Sequence, residues 1–222
     1  MMRASEIRRL GRRAGIGPGI GVLDICCGTA GPGRLIAREL DCRYLGVDYS
    51  ASALAIASEM AADLPCRFER ARVPPLPAGR FEVVLLLETM LAFRDKRALF
   101  AEVAQVMEPH GRFACTVEAG APLTADERAS MPDADTVWPI ELLDLTAQLS
   151  DVGLSVSWTE ECTAAHYATA AALLGAFRAA AGEISCLIGT RALSELIAAH
   201  ELWIDWLGRG RIRKFMLIAY KP

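Results

Sequence analysis

The first half of the 222-residue chain alternates short runs of β-branched and aliphatic residues with longer stretches of helical periodicity, a pattern that few folds accept. Strands separated by helices must be joined by crossovers, which set the strands parallel in one sheet with helices on its faces. Strands are expected at Gly21–Ile25, Arg43–Asp48, Cys66–Ala71, Phe81–Glu88 and Arg112–Glu118, with helices near Pro32–Leu40, Ala51–Ala62 and Lys96–Met107. Val83–Leu87 is continuously apolar, as a strand covered on both faces must be, so it belongs mid-sheet.

The pattern changes after Glu118. A Pro- and Asp-containing stretch, Ala121 to Val137, leads to a helix around Ile140–Ser150, a strand around Leu154–Thr159 and a last strand at Ile212–Tyr220. Residues 162–208 lie between those two strands and far exceed a plain connection. They read as two helices. Ala164 to Ala181 is Ala-rich and apolar on several sides, whereas the second helix lines up Leu193, Leu196, Ile197, His200, Trp203, Ile204 and Leu207 on one stripe that must be buried. The expected fold is a doubly wound α/β domain over residues 1–222: a mainly parallel seven-stranded sheet, helices on both faces, and an α-helical insertion before the last strand. Its first half, to near residue 120, would hold a ligand, and the rest would cover it.

Composition narrows the function classes. A chain that is 53% apolar and 23% charged, with no low-complexity tract, suits an ordered enzyme. A net charge of −3 gives no general attraction to polyanions, and the basic cluster Arg8, Arg9, Arg12, Arg13 reads as the solvated face of an N-terminal helix. Neither a nucleic-acid nor a membrane partner is expected. Residues 1–15 lack the apolar core of a secretory signal, which leads to the expectation of a cytoplasmic protein. The seven cysteines form no CxxC pair and no spaced His/Cys set, so no metal site is expected, and their odd number reads as reduced thiols.

The turn after the first strand carries the most specific signal. It reads Asp24-Ile-Cys-Cys-Gly-Thr-Ala-Gly-Pro-Gly33, with glycines at 28, 31 and 33, which is not the glycine order of a dinucleotide site. Asp24 also puts a carboxylate where a pyrophosphate would want none. That carboxylate suits a cationic ligand, and Gly28 lets the backbone approach it. Asp48 closes the next strand twenty residues beyond Gly28, the spacing at which an acid reaches a ribose diol.

From Val22 to Glu118 the sequence resembles the class I S-adenosylmethionine-dependent methyltransferases. Val22-Leu-Asp-Ile-Cys-Cys-Gly-Thr is similar to that family's first motif, Tyr44-Leu-Gly-Val-Asp-Tyr-Ser to its second, and Leu76-Pro followed by Phe81-Glu-Val-Val-Leu to its third and fourth. The resemblance implies S-adenosyl-L-methionine as cofactor, with Asp24 and Gly28 facing its methionine part, Asp48 its ribose, Tyr49 its adenine and Glu88 the mouth of the site. Cys26 and Ala30 stand where the family usually has glycine, and both are small enough to keep the turn. Arg72 stands where many relatives carry an acid for the adenine amino group, so that recognition is expected to fall to backbone around Val73.

Methyl transfer from a sulfonium is an in-line displacement that depends on positioning, with a base needed only for a protonated acceptor. Glu88 directly follows a buried strand, where a carboxylate is costly unless it holds a ligand or caps a turn. His166, near the start of the Ala-rich helix, is either a neutral base or a packing histidine. His200 lies on the apolar stripe and reads as a hydrogen-bonded core residue, and His110 as a turn residue. Met90, Trp138, His166 and Trp203 are the candidates for the acceptor pocket, an apolar or aromatic one suited to a small organic molecule methylated on O, N or C. Three other readings stand beside this one. A protein or RNA methyltransferase is disfavoured by the lack of a basic stripe and by a helical cover that would hinder a large substrate. A nicotinamide-dependent oxidoreductase is disfavoured by the glycine order and Asp24; a cyclase or non-catalytic module binding the same cofactor shares the motif.

Overall fold

In the computed structural model, which describes residues 2–222, the N-terminal helix α1 (Ala4–Arg13) buries Ile7 and Leu10 and turns its arginines outward. Three of the four are engaged locally: Arg8 pairs with Glu39, Arg9 with Glu160, and Arg13 stacks on the Trp158 ring at 4.8 Å. The alternating half then runs β1 (Gly21–Ile25), α2 (Gly31–Leu40), β2 (Arg43–Asp48), α3 (Ala51–Met60), β3 (Cys66–Arg70), β4 (Phe81–Leu86), α4 (Lys96–Val106) and β5 (Met107–Ala119). Two short helices, α5 (Ala125–Ser130) and α6 (Leu142–Asp151), precede β6 (Ser155–Glu161). Three helices follow, α7 (Thr163–Ala179), α8 (Ala181–Ile188) and α9 (Thr190–Gly208), before β7 (Arg213–Tyr220).

The sheet order is β3-β2-β1-β4-β5-β7-β6, parallel except where β7 inserts antiparallel between β5 and β6. Chain direction across the sheet reverses between β1 and β4, and in such a sheet ligands bind beyond the carboxyl ends of the strands at that switch point. The apolar residues of β1 and β4 are packed from both sides: Leu23, Ile25, Val84 and Leu86 face one core cluster with α4 and α6, while Val22, Val83 and Leu85 face another with α1 and α2.

Beyond shifts of one or two residues at element ends, three features differ from the sequence reading. β4 stops at Leu86 rather than Glu88, because Glu88 adopts φ +63°, a left-handed conformation no ladder can continue through. β5 begins at Met107 instead of Arg112: Phe81 pairs with Met107 and Val83 with Arg112, and the slack is taken up around His110 at φ +62°. The insertion holds three helices, not two. α7 and α8 meet at 82°, and Gly189 at φ +86° separates α8 from α9.

Candidate active site

The β1–α2 turn is built on left-handed backbone at Cys26 (φ +57°), Gly28 (φ +55°) and Ala30 (φ +54°). Only Gly28 adopts that conformation without steric cost. Its amide donates to Asp48 Oδ2 at 2.9 Å, while the other oxygen of Asp48 accepts from Ser50 N at 2.9 Å, so one carboxylate joins the ends of β1 and β2. Asp24 is buried under the turn and accepts the Tyr44 hydroxyl at 2.5 Å. Tyr44 reaches it by passing directly over Gly33, where a Cβ would collide with the phenol ring. Burial pushes the Asp24 carboxyl up to about 7, with the Tyr44 bond opposing and Asp48 adding to the rise.

Above the turn lies a cavity of about 530 Å³ lined by Asp24, Cys26, Gly31, Leu87, Glu88 and Thr89 among others. Positions where a Cβ at Gly28 or Gly31 would stand meet nothing within 4 Å, so the backbone there is open to a ligand. A buried carboxylate costly to ionise, beside an open glycine backbone, fits the ammonium-bearing end of S-adenosylmethionine. Burial, with Asp48 and Asp24 nearby, pushes the Cys26 thiol up to about 12, so Cys26 meets a ligand as a small neutral group. At the outer end, Tyr49 is 64% exposed with the Arg72 guanidinium 5.7 Å from its ring centre, and Val73 is half-buried against the core.

A second cavity, of about 400 Å³, lies between the strand ends and the helical cover. Leu91, Met131, Val137, Ala170, Leu173 and Ala199 form its apolar wall; Glu88, Glu118, His166, Thr169, His200 and Trp203 complete it. Glu88 lines both cavities. Its amide donates to Thr116 Oγ1 at 2.7 Å, and its carboxylate lies 2.6 Å from Lys214 Nζ. Lys214 is fully buried and also pairs with Glu118. Burial alone would raise the Glu88 carboxyl, but Lys214 holds it well below the usual carboxylate range; burial alone would lower Lys214, but Glu118 and Glu88 hold it above an ordinary lysine. Glu88 and Lys214 are therefore ionised at neutral pH.

Trp203 Nε1 donates to His166 Nε2 at 3.4 Å, so the neutral His166 ring carries its proton on Nδ1. His200 donates from Nδ1 to the Leu196 carbonyl at 2.8 Å and packs edge-on against Phe177. Two residues read as pocket candidates sit elsewhere. Met90 is fully buried in the core next to the cavity, whose wall its neighbour Leu91 supplies. Trp138 stands behind that wall, its ring between the guanidinium groups of Arg94 and Arg128 at 4.8 and 4.0 Å and its carbonyl accepting from buried Lys96. Lys214 escaped the sequence reading entirely, because a lysine at the start of an apolar strand looks like a solvated strand end. Only its alternation in phase with buried Met216 hinted at an inward direction.

A family profile described as a methyltransferase domain matches residues 22–111. Phosphoethanolamine N-methyltransferase 1 of Arabidopsis thaliana is 33% identical over 99 residues, which are 43% of this chain and 20% of that protein. Cycloartenol-C-24-methyltransferase of the same plant is 26% identical over 166 residues, 68% of this chain and 49% of its own. The chain spans about a fifth of the length of the curated relatives it matches first. Among solved structures, the cyclopropane synthase MmaA2 from Mycobacterium tuberculosis superposes with a TM-score of 0.89 at 15% identity, covering 98% of this chain and 83% of the other. Phosphoethanolamine N-methyltransferase 2 of Haemonchus contortus, solved with phosphomonomethylethanolamine and S-adenosylhomocysteine, superposes at 0.83 and 16% identity over 98% of this chain and 52% of that one. These superpositions cover the helical insertion as well as the sheet and speak for the fold.

Proposed function

We propose that the chain is a class I S-adenosylmethionine-dependent methyltransferase that transfers a methyl group to a small organic acceptor with an apolar body, a reading supported by the methyltransferase-domain match over residues 22–111. The observation that carries this reading is the pair of cavities meeting at Glu88, one over the glycine turn and one under the helical cover. S-adenosylmethionine supplies, when bound, an electrophilic methyl on a sulfonium. In this reading Asp24 and the turn backbone hold its cationic end, Asp48 its ribose, and Tyr49 and Val73 its adenine. Cys26 lines the cavity wall without contributing charge. Lys214 fixes Glu88 where the cavities join, so that the acceptor meets the methyl in a water-poor passage. His166, tied to Trp203, orients the acceptor from the cover.

The acceptor cavity is walled on one side by α7 and α9, and its volume of about 400 Å³ suits a small molecule better than a protein or RNA chain. A cytoplasmic site of action without membrane or nucleic-acid partners belongs to the same proposal. It is supported by seven unpaired cysteines and by α1 arginines already engaged within the fold. Among the described residues no single helix is long and apolar enough to cross a membrane. Incubating the protein with methyl-labelled S-adenosylmethionine and a panel of small acceptors tests the reading: label moving to an acceptor supports it. Tight S-adenosylhomocysteine binding with no transfer to any acceptor would instead favour a non-transferring binding protein on the same fold.

A further inference from the structure

The acceptor cavity is apolar over most of its wall and carboxylate-lined at one end. Glu118 there is 4% exposed; Oε1 pairs with Lys214, whereas Oε2 is buried with no hydrogen-bond donor among the described residues. Glu118 lines the cavity and Lys214 does not, so the lysine charge sits behind the wall while the carboxylate forms part of it. A buried carboxylate oxygen left without a donor is costly, and the apolar wall offers it none. The donor must come with the ligand.

Resting on the reading above, we propose that the acceptor is an amine with an apolar body, and that its N–H is donated to Glu118 Oε2. The amine binds as its ammonium and reacts in its neutral form, the ammonium proton passing to solvent before transfer. Its lone pair forms the N–C bond as the methyl C–S bond breaks and that pair stays on sulfur. The positive charge thus moves from sulfur to nitrogen, and the resulting N-methylammonium keeps its N–H on Glu118. A fixed buried carboxylate stabilises charge arriving at that end and needs no reorganisation to do so. Acceptors bearing a carboxylate or phosphate would instead bring like charge against both Glu88 and Glu118.

The test is calorimetric titration of the protein, saturated with S-adenosylhomocysteine, with three isosteric probes: 2-phenylethylamine, 2-phenylethanol and phenylacetate. The amine is expected to bind about tenfold more tightly than the alcohol, the margin of one charge-assisted hydrogen bond, and phenylacetate most weakly. Glu118→Gln is expected to bring amine and alcohol to near parity. An amine that binds no better than the alcohol in the unaltered protein, absence of binding included, overturns the amine assignment without touching the cofactor reading. Failure of S-adenosylhomocysteine to bind strikes that underlying reading instead.

Discussion

Asp24 is the residue on which the chemistry of the turn depends most. Its carboxyl, pushed up to about 7 by burial, is largely neutral in the free protein below that pH, and only the ionised form attracts a cation. Affinity for S-adenosylmethionine should therefore rise about tenfold between about pH 6 and 8. Asp24→Asn should both weaken binding and flatten that dependence, which titration at several pH values would show. The same raised value means that the folded chain holds a proton the unfolded chain has lost. The ligand-free protein should thus lose stability as pH climbs from the ordinary carboxyl range through about 7. Ala30 gives a second prediction at this scale. At φ +54° it carries left-handed strain that glycine would not, so Ala30→Gly is expected to stabilise the fold by about 0.5–1 kcal/mol in urea denaturation.

At the scale of elements, α2 packs on β2 only because Gly33 leaves room for the Tyr44 ring on its way to Asp24. Gly33→Ala should cost about 1–3 kcal/mol by overpacking. Part of that cost should vanish when Tyr44 is also shortened to Leu, a non-additivity that a double-mutant cycle in denaturant would measure. On the far side of the site β7 delivers Lys214 to two carboxylates. Lys214→Met leaves Glu118 buried without its partner and is expected to destabilise by about 3–5 kcal/mol, with a lowered thermal midpoint. These elements also show what could be read from sequence. β1, β2 and β4, with the acids that close or follow them, were legible because buried parallel strands leave continuous apolar runs and the ligand end is marked by charge. The break between α7 and α8 was not, since Ala180 is as good a helix former as its neighbours and tertiary packing alone decides the bend. Trp138 misled for a related reason: an aromatic ring in a cover reads as pocket wall, and only the flanking Arg94 and Arg128 show it to be a pillar.

On the scale of the whole molecule, one sheet brings together two cavities that share Glu88 but draw the rest of their walls from different parts of the sequence. The cofactor cavity takes Asp24 and Gly31 from either side of the β1–α2 turn, with Asp48 bonded to that turn, whereas the acceptor cavity joins Glu88, beyond β4, and Glu118 from β5 to His166 and Ala170 from α7 and Trp203 and His200 from α9. Local pattern could reveal the first cavity, because apart from Met2, Ala4 and Ile7 its residues lie in one strand-turn-helix and just beyond the strand beside it. The second depends on contacts between elements up to about a hundred residues apart, such as Glu118 with Lys214, and those follow from strand order, not from spacing. The claim that joins the two cavities is that a cationic adenosyl cofactor sits over the β1–α2 turn. Calorimetric titration with S-adenosylmethionine, S-adenosylhomocysteine and a nicotinamide dinucleotide tests it most directly. One site for the two adenosyl ligands, weakened by Asp24→Asn and Asp48→Ala, is the predicted result; binding of the nicotinamide dinucleotide alone would contradict it.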